Sequence, residues 1–309
     1  MDISVVIPVY NEGDNVIHLH RELKQVLERL NKKYEIIFVD DGSNDNTFEN
    51  LKKISKNEKS LKIIQFTKNF QKAAALMAGF NQAKGEMVIT MDGDLQDDPC
   101  EIPKLIDAAK ECDVVVGWRH NRTDKLDKKI PSKIFNALVR FLTGIKLHDS
   151  DCNFRIMKNY VVRGINIYGG LYRYIPIIAH GKGYNIKEIK VNHRKRLYGK
   201  SKYGMKRIFN GIFDLITVKY LMTYTKRPLH FFGMIGFVSS LIGFLCGLYL
   251  LYIKYANNSV IGNRPLLFLA ILLIVIGIQF FSIGLIGEMI TSYNNKLKDQ
   301  YIIKSSHNL

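Results

Sequence analysis

Several large protein classes are excluded by what this 309-residue sequence lacks. Its four cysteines, Cys100, Cys112, Cys152 and Cys246, are scattered without ligand spacing. That pattern argues against a zinc ribbon or a disulfide-stapled scaffold and fits a reducing compartment. No Gly-rich loop follows either of the first two strand-like runs, so the Rossmann dinucleotide and P-loop patterns both fail. No Gly-x-Ser-x-Gly elbow is present. His18, His20, His120, His148, His180 and His193 have no partner at metal-ligand spacing and are expected mostly at the surface. The single tryptophan, Trp118, is expected to pack beside a pocket rather than carry chemistry. Acidic residues are few: 28 Asp and Glu against 45 Lys and Arg give a formal net charge of +17. Such a balance calls for an anionic partner. No ribonucleoprotein aromatic motif, zinc finger or helix-turn-helix pattern suggests nucleic acid, which leaves anionic lipid and phosphorylated ligands. The opening Met1-Asp2-Ile3-Ser4-Val5-Val6-Ile7-Pro8 lacks a basic stretch followed by an apolar core and cleavage site. The large first domain is therefore expected in the cytosol.

Two long apolar runs are present, Leu229–Ile253 and Pro265–Ile286. Each exceeds the roughly 20 residues a helix needs to cross a bilayer, and their glycines suit close packing in lipid. Lys219, Lys226 and Arg227 precede the first run, and Lys296 and Lys298 follow the second. By the positive-inside rule both flanks are cytoplasmic. The expected organisation is a cytosolic domain over 1–227, two transmembrane helices within 228–290 and a cytosolic tail over 291–309. Within the first domain, Ile3–Ile7, Glu35–Val39, Leu61–Phe66, Met87–Met91 and Asp113–Gly117 read as strands. Asn15–Leu30, Thr47–Ser55, Phe70–Ala83 and Glu101–Ala109 alternate with them as helices. This βαβα order predicts an α/β fold, a doubly wound and mostly parallel sheet covered by helices. Ligands of such sheets bind beyond the carboxyl ends of the strands. Two amphipathic helices, over about 131–143 and 203–224, are expected at the membrane interface.

The motifs that carry chemistry fall just after strands. In Asp92-Gly93-Asp94-Leu95-Gln96, two carboxylates flank a glycine and can share a hard divalent cation through oxygen ligands. A nucleoside diphosphate would complete the coordination, and the metal would neutralise the charge growing on it as it leaves. Gln96 can supply a further neutral oxygen. After the first strand comes Pro8-Val9-Tyr10-Asn11-Glu12, and the second ends in Asp40-Asp41-Gly42-Ser43. Tyr10 can stack on a base and Asp40 can accept hydrogen bonds from a base or ribose, although turn and cap chemistry favours the same residue types.

Together these motifs resemble the signature of family-2 glycosyltransferases of GT-A fold. Asp149-Ser150-Asp151-Cys152-Asn153-Phe154-Arg155 and the run from His193 to Tyr203 resemble the polyisoprenyl-phosphate branch. That branch includes dolichol-phosphate mannose synthases and bacterial undecaprenyl-phosphate glucosyltransferases. The resemblance implies Asp92, Asp94 and Gln96 as ligands of Mg²⁺ or Mn²⁺. It implies Pro8, Tyr10, Glu12, Asp40 and Asp41 around the nucleotide sugar, with Arg196, Ser201 and Lys202 closing over the diphosphate. Arg119 and Ser132 would receive the lipid phosphate, and Asp149 would act on the acceptor side. One departure is Asp151, which stands where the pattern carries glycine; a left-handed backbone there would suit Asp poorly.

An ionised phosphomonoester needs no general base to attack an anomeric carbon, unlike a sugar hydroxyl. It needs cationic positioning, which the basic segment Arg119, Arg122, Lys125, Lys128, Lys129 and Lys133 supplies. The expected activity is transfer of a hexose, first glucose from UDP-glucose, to undecaprenyl phosphate with inversion, at the cytosolic face of a bacterial inner membrane. GDP-mannose is the alternative donor, and a non-catalytic membrane scaffold is the alternative of another class. A processive synthase is disfavoured because no Gln-x-x-Arg-Trp motif is present. Nucleotide sugar, polyisoprenyl phosphate and membrane lipid are the expected partners; homo-oligomerisation stays open.

Overall fold

The computed structural model describes residues 1–120, 139–140, 143–194, 206–224, 227–256 and 265–295. These form two compact units, Met1–Lys219 and Tyr220–Leu309.

The first unit is built on seven strands, β1 (Ile3–Val9), β2 (Tyr34–Asp40), β3 (Leu61–Gln65), β4 (Met87–Thr90), β5 (Val114–Arg119), β6 (Arg155–Lys158) and β7 (Ile186–Val191). Their order is β3-β2-β1-β4-β6-β5-β7. All neighbours are parallel except β6, which runs antiparallel to both β4 and β5. The central strands are apolar on both faces: Val5, Val6, Ile7, Ile36, Ile37, Phe38, Val88 and Ile89 are fully buried. That is the pattern of a sheet covered on both sides.

Helices α1 (Gly13–Arg29), α2 (Thr47–Ser55), α3 (Gln71–Gln82) and α4 (Ile102–Ala108) connect the first five strands. In α1 the buried Val16, Leu19, Leu23, Val26 and Leu27 recur at helical spacing and face the sheet. All five expected strands and four expected helices are present within a few residues. The shorter helices α5 (Asn159–Gly164) and α6 (Ile175–Gly181), the 3₁₀ turn Gly169–Tyr174, and strands β6 and β7 carried no clear periodicity. Helix α7 spans Lys206–Thr223; the neighbouring helix expected over 131–143 lies largely outside the described residues.

Strand direction positions the site. The order of the sheet reverses at β1, whose neighbours are β2 and β4, and this switch point opens a crevice at the strands' carboxyl ends. Because β6 runs against its neighbours, its first residue, Arg155, pairs with Thr90 near the end of β4 and with Val116 on β5. The loop before β6 therefore arrives at the same edge as the loops after β1, β2, β4, β5 and β7.

The second unit holds α8 (Pro228–Ala256) and α9 (Pro265–Asn295), packed together as an apolar pair. Only 17% and 11% of their most apolar stretches are buried, unlike core helices of a soluble protein. Their contact uses small residues. A Cβ added to Gly236 would lie 2.6 Å from the Gly277 carbonyl oxygen, so the backbones meet where no side chain intervenes. Ser239 Oγ donates to the Leu273 carbonyl at 3.0 Å.

Candidate active site

The loops after β1 and β2 are stitched into one rim. The Asn11 backbone donates to Ser43 Oγ at 2.9 Å, Asn44 N to Asn11 Oδ1 at 2.9 Å, and Glu12 N to Thr47 Oγ1 at 2.9 Å. Glu12 in turn accepts from the Asn15 side chain, at the start of α1. Pro8 and Tyr10 bracket Val9 at the end of β1, both half-buried. Gly42 has φ +72°, and a Cβ there would meet the Lys68 backbone at 2.4 Å, so the turn after β2 requires glycine. Asp41 accepts from the Phe70 backbone N–H at 2.6 Å at the start of α3. Burial raises its pKa, outweighing the Phe70 and Gln71 N–H donors. Asp40 is fully buried; its Oδ1 takes the Ser43 N–H at 3.0 Å, whereas its Oδ2 has no hydrogen-bond partner. A buried acceptor left in this state is suited to a ligand's N–H or O–H.

The loop after β4 carries the two carboxylates. Gly93 packs on β1, where a Cβ would lie 2.7 Å from Val9 Cγ1. Asp94 is buried and its Oδ1 accepts from the Gln96 N–H at 3.2 Å. Asp92 is half-buried, its backbone N–H held by Asp97 Oδ2 at 3.1 Å. Its Oδ1 is ion-paired with Lys72 of α3, and its Oδ2 accepts from Asn153 Nδ2 at 3.3 Å. Burial opposes its ionisation, but the Lys72 ammonium, the Asn153 amide and the field of Arg119 hold its carboxyl below the ordinary range.

Asn153 thus joins this loop to the one before β6, and Thr90 Oγ1 adds a 2.7 Å bond to its carbonyl. In that second loop, Asp149 receives Arg119 through two bonds, Nε to Oδ2 at 2.6 Å and Nη2 to Oδ1 at 2.8 Å. Burial alone would lower the Arg119 pKa, and Asp149 keeps it well above its ordinary value. Glu188 of β7 fixes the backbone beneath the pair, accepting from Asp149 N at 2.8 Å and His148 N at 2.9 Å. Trp118 stacks on His148 with ring centroids 4.2 Å apart. Position 151 has no left-handed backbone, so Asp151 stands there without strain. Its carboxylate faces Arg173 Nε at 3.6 Å. Arg155 is fully buried and donates to four carbonyls: Cys152 at 2.5 Å, Tyr172 at 2.8 Å, and Ser150 and Arg173 at 3.3 Å. It clamps this loop onto the Gly169–Tyr174 turn. Burial pushes the Cys152 thiol up to about 12, so this cysteine is inert.

The segment after β7 is tied to the same place. Arg194 N donates to the Gln96 carbonyl at 2.8 Å, and Gln96 Nε2 reaches the Arg194 carbonyl at 3.5 Å. Arg194 also binds Asp98 Oδ1 at 2.7 Å and Glu22 Oε2 at 2.6 Å. Arg196, Ser201 and Lys202 begin two residues beyond this anchor and lie outside the described residues, as do Arg122 and Ser132. Of the histidines, His20 is buried and its pKa is lowered by that burial; His18, His120, His148 and His180 are exposed.

Among the described residues no three His, Cys, Asp or Glu side chains form a complete metal cage. Asp92 and Asp94 offer hard oxygen donors from one tight turn. That set would suit a divalent cation shared with a diphosphate.

Residues 4–165 match Glycosyl transferase family 2. The chain belongs to this family. The glycosyltransferase is 36% identical to dodecaprenyl-phosphate galacturonate synthase of Rhizobium johnstonii, over 98% of this chain and 92% of that protein. It is also 36% identical to undecaprenyl-phosphate 4-deoxy-4-formamido-L-arabinose transferase of Pseudomonas paraeruginosa, over 93% and 84%. Its fold is similar to glucosyl-3-phosphoglycerate synthase of Mycobacterium tuberculosis, with TM-score 0.55 and 15% identity over 72% of this chain and 79% of that one. A second structure of that enzyme, with Mn²⁺, UDP and glucosyl-3-phosphoglycerate, gives TM-score 0.54. The GT-A fold is thereby shown, and the two apolar helices of this glycosyltransferase are long and apolar enough to cross a membrane.

Sequence reading missed Lys72, Glu188 and Arg173, and named Arg155 in a motif without a role. Each makes at least one contact across 17 or more residues of chain, and no local pattern announces such a pairing.

Proposed function

We propose that this glycosyltransferase moves a sugar from a nucleotide sugar to a polyisoprenyl phosphate at the cytosolic face of a bacterial inner membrane. The observation that carries this reading is the Asn153 bond to Asp92. It brings the Arg119–Asp149 pair and the two loop carboxylates to one sheet edge. Asp40 accepts from the nucleoside through Oδ2, and Tyr10, Pro8 and Glu12 line the same rim. Asp92 and Asp94 would hold Mg²⁺ or Mn²⁺, with Gln96 beside them, and the cation supplies charge neutralisation for the departing diphosphate. Arg119, set by Asp149, orients the acceptor phosphate. A phosphate oxygen forms the bond to the anomeric carbon as the bond to the diphosphate breaks, and the electron pair leaves on the nucleoside diphosphate. A single in-line displacement inverts the anomeric configuration.

Helix α7 supports the membrane placement. Leu215 and Val218 are fully buried, whereas Phe213 and Ile216 are 69% and 54% exposed. A helix with one apolar face in the core and another bare suits the headgroup interface. Helices α8 and α9 would span the bilayer with both flanks in the cytosol.

Full-length protein is incubated with undecaprenyl phosphate, Mg²⁺ or Mn²⁺ and a donor panel. The panel comprises UDP-glucose, GDP-mannose, a UDP-uronate and a UDP-4-amino-4-deoxypentose. Mass spectrometry of the lipid fraction should show one glycosylated lipid and name its sugar. Asp94→Asn should lower its formation by roughly a thousandfold. Absence of product across the panel refutes the lipid acceptor, and full activity of Asp94→Asn refutes the metal assignment.

A further inference from the structure

Lys72 stands in the first turn of α3, which has no acidic residue. The helix dipole disfavours a cation there, so its side chain answers to something else. Its ammonium is paired with Asp92 Oδ1, while Asn153 takes Oδ2. Both oxygens of this carboxylate thus already have donors. The Lys72 side chain is 20% exposed, and while paired with Asp92 its ammonium also lies 5.3 Å from the Tyr172 ring centroid.

We propose that Lys72 is a resident cation of the site, occupying Asp92 until a nucleoside diphosphate arrives, so that metal and diphosphate bind together rather than metal alone. The inference rests on Asp92 being a metal ligand. A bare divalent cation at Asp92 would meet the Lys72 ammonium as a like charge. A diphosphate brings several negative charges, which screen that repulsion and give the ammonium an anionic partner of its own. Lys72 therefore weakens the binding of metal by itself and strengthens the binding of the pair. By linkage, metal strengthens diphosphate binding by the same factor.

The test is Mn²⁺ binding to the detergent-solubilised full chain, read from loss of the free-Mn²⁺ EPR signal. It is run without nucleotide and with saturating UDP, and with GDP in parallel. Lys72→Met should raise affinity for Mn²⁺ alone by about tenfold. It should also shrink the nucleotide-dependent gain in affinity by about tenfold, while Lys72→Arg keeps the unsubstituted pattern. Lys72→Gln serves if Lys72→Met does not fold, judged by its melting curve. Bare-metal affinity that is unchanged or lower in the neutral variant overturns the inference alone. Absence of Mn²⁺ binding by the unsubstituted protein, with UDP and with GDP, overturns the metal assignment and the inference with it.

Discussion

Glu35 enters β2 and Asp40 leaves it, and both side chains are almost wholly removed from solvent. At the amino end, Glu35 Oε1 accepts from Ser4 Oγ at 2.6 Å and from Lys84 N at 2.7 Å, and Oε2 meets Lys62 Nζ at 2.5 Å. Ser4 Oγ in turn takes the Gly85 N–H at 2.8 Å. At the carboxyl end, five residues along the same strand, Asp40 keeps one oxygen buried and without a partner. A buried carboxylate that meets an ammonium on one oxygen and two hydrogen-bond donors on the other ties strands and loops together. One with a free oxygen at the sheet's carboxyl edge is what the proposed nucleoside contact needs. On the proposed function, one strand carries a structural carboxylate at one end and a ligand-binding one at the other.

Truncating the ion-paired end should cost the most. Glu35→Ala leaves Ser4, the Lys84 N–H and Lys62 without their acceptor, and roughly 3 kcal/mol of stability should be lost. Thermal unfolding of the solubilised protein reads this, and nucleotide affinity of the folded fraction should stay put. Asp40→Asn reverses the pattern. UDP or GDP affinity, measured by calorimetry, should fall about tenfold for loss of a charge-assisted bond, with little change in melting temperature. A large stability loss there would erase the contrast.

A smaller effect is expected one step from the site. Glu188→Gln keeps shape but weakens the hold on His148 and Asp149, so KM for the lipid acceptor should rise about fivefold, near 1 kcal/mol. KM for the nucleotide sugar should be unmoved; equal change in both would make Glu188 a general structural residue. The smallest effect concerns pH. Burial opposes the charge on Glu35, but Lys62, Ser4 and the Lys84 N–H hold its folded pKa below the ordinary 4.5. Its contribution to stability is therefore complete above 4.5 and is lost as pH falls through the depressed folded value. Between pH 5 and 3 the unsubstituted protein should lose stability more steeply than Glu35→Gln.

Much of the molecule was legible in the chain. The five leading strands and four helices follow from apolar runs alternating with helical spacing, a local property. The Asp92-Gly93-Asp94 turn follows β4, and Asp40 and Arg119 end β2 and β5, so their place at the carboxyl edge follows from the parallel order. Strand β6 was not legible, because four residues, Arg155-Ile156-Met157-Lys158, show no useful period. Lys72 reads as one more solvated lysine on a basic chain until α3 is laid over the loop holding Asp92.

The sequence by itself determined the fold class, the two membrane-length helices and the carboxylate pair, since each depends on spacing within a few neighbouring residues. Only the tertiary structure decided that β6 runs backwards. That reversal turns the Asp149–Arg155 loop toward Asp92, so that Asp149 pairs with Arg119 and Asn153 with Asp92 at one sheet edge. Strand direction in a sheet is settled by long-range pairing and burial on both faces, and no short stretch of sequence records it.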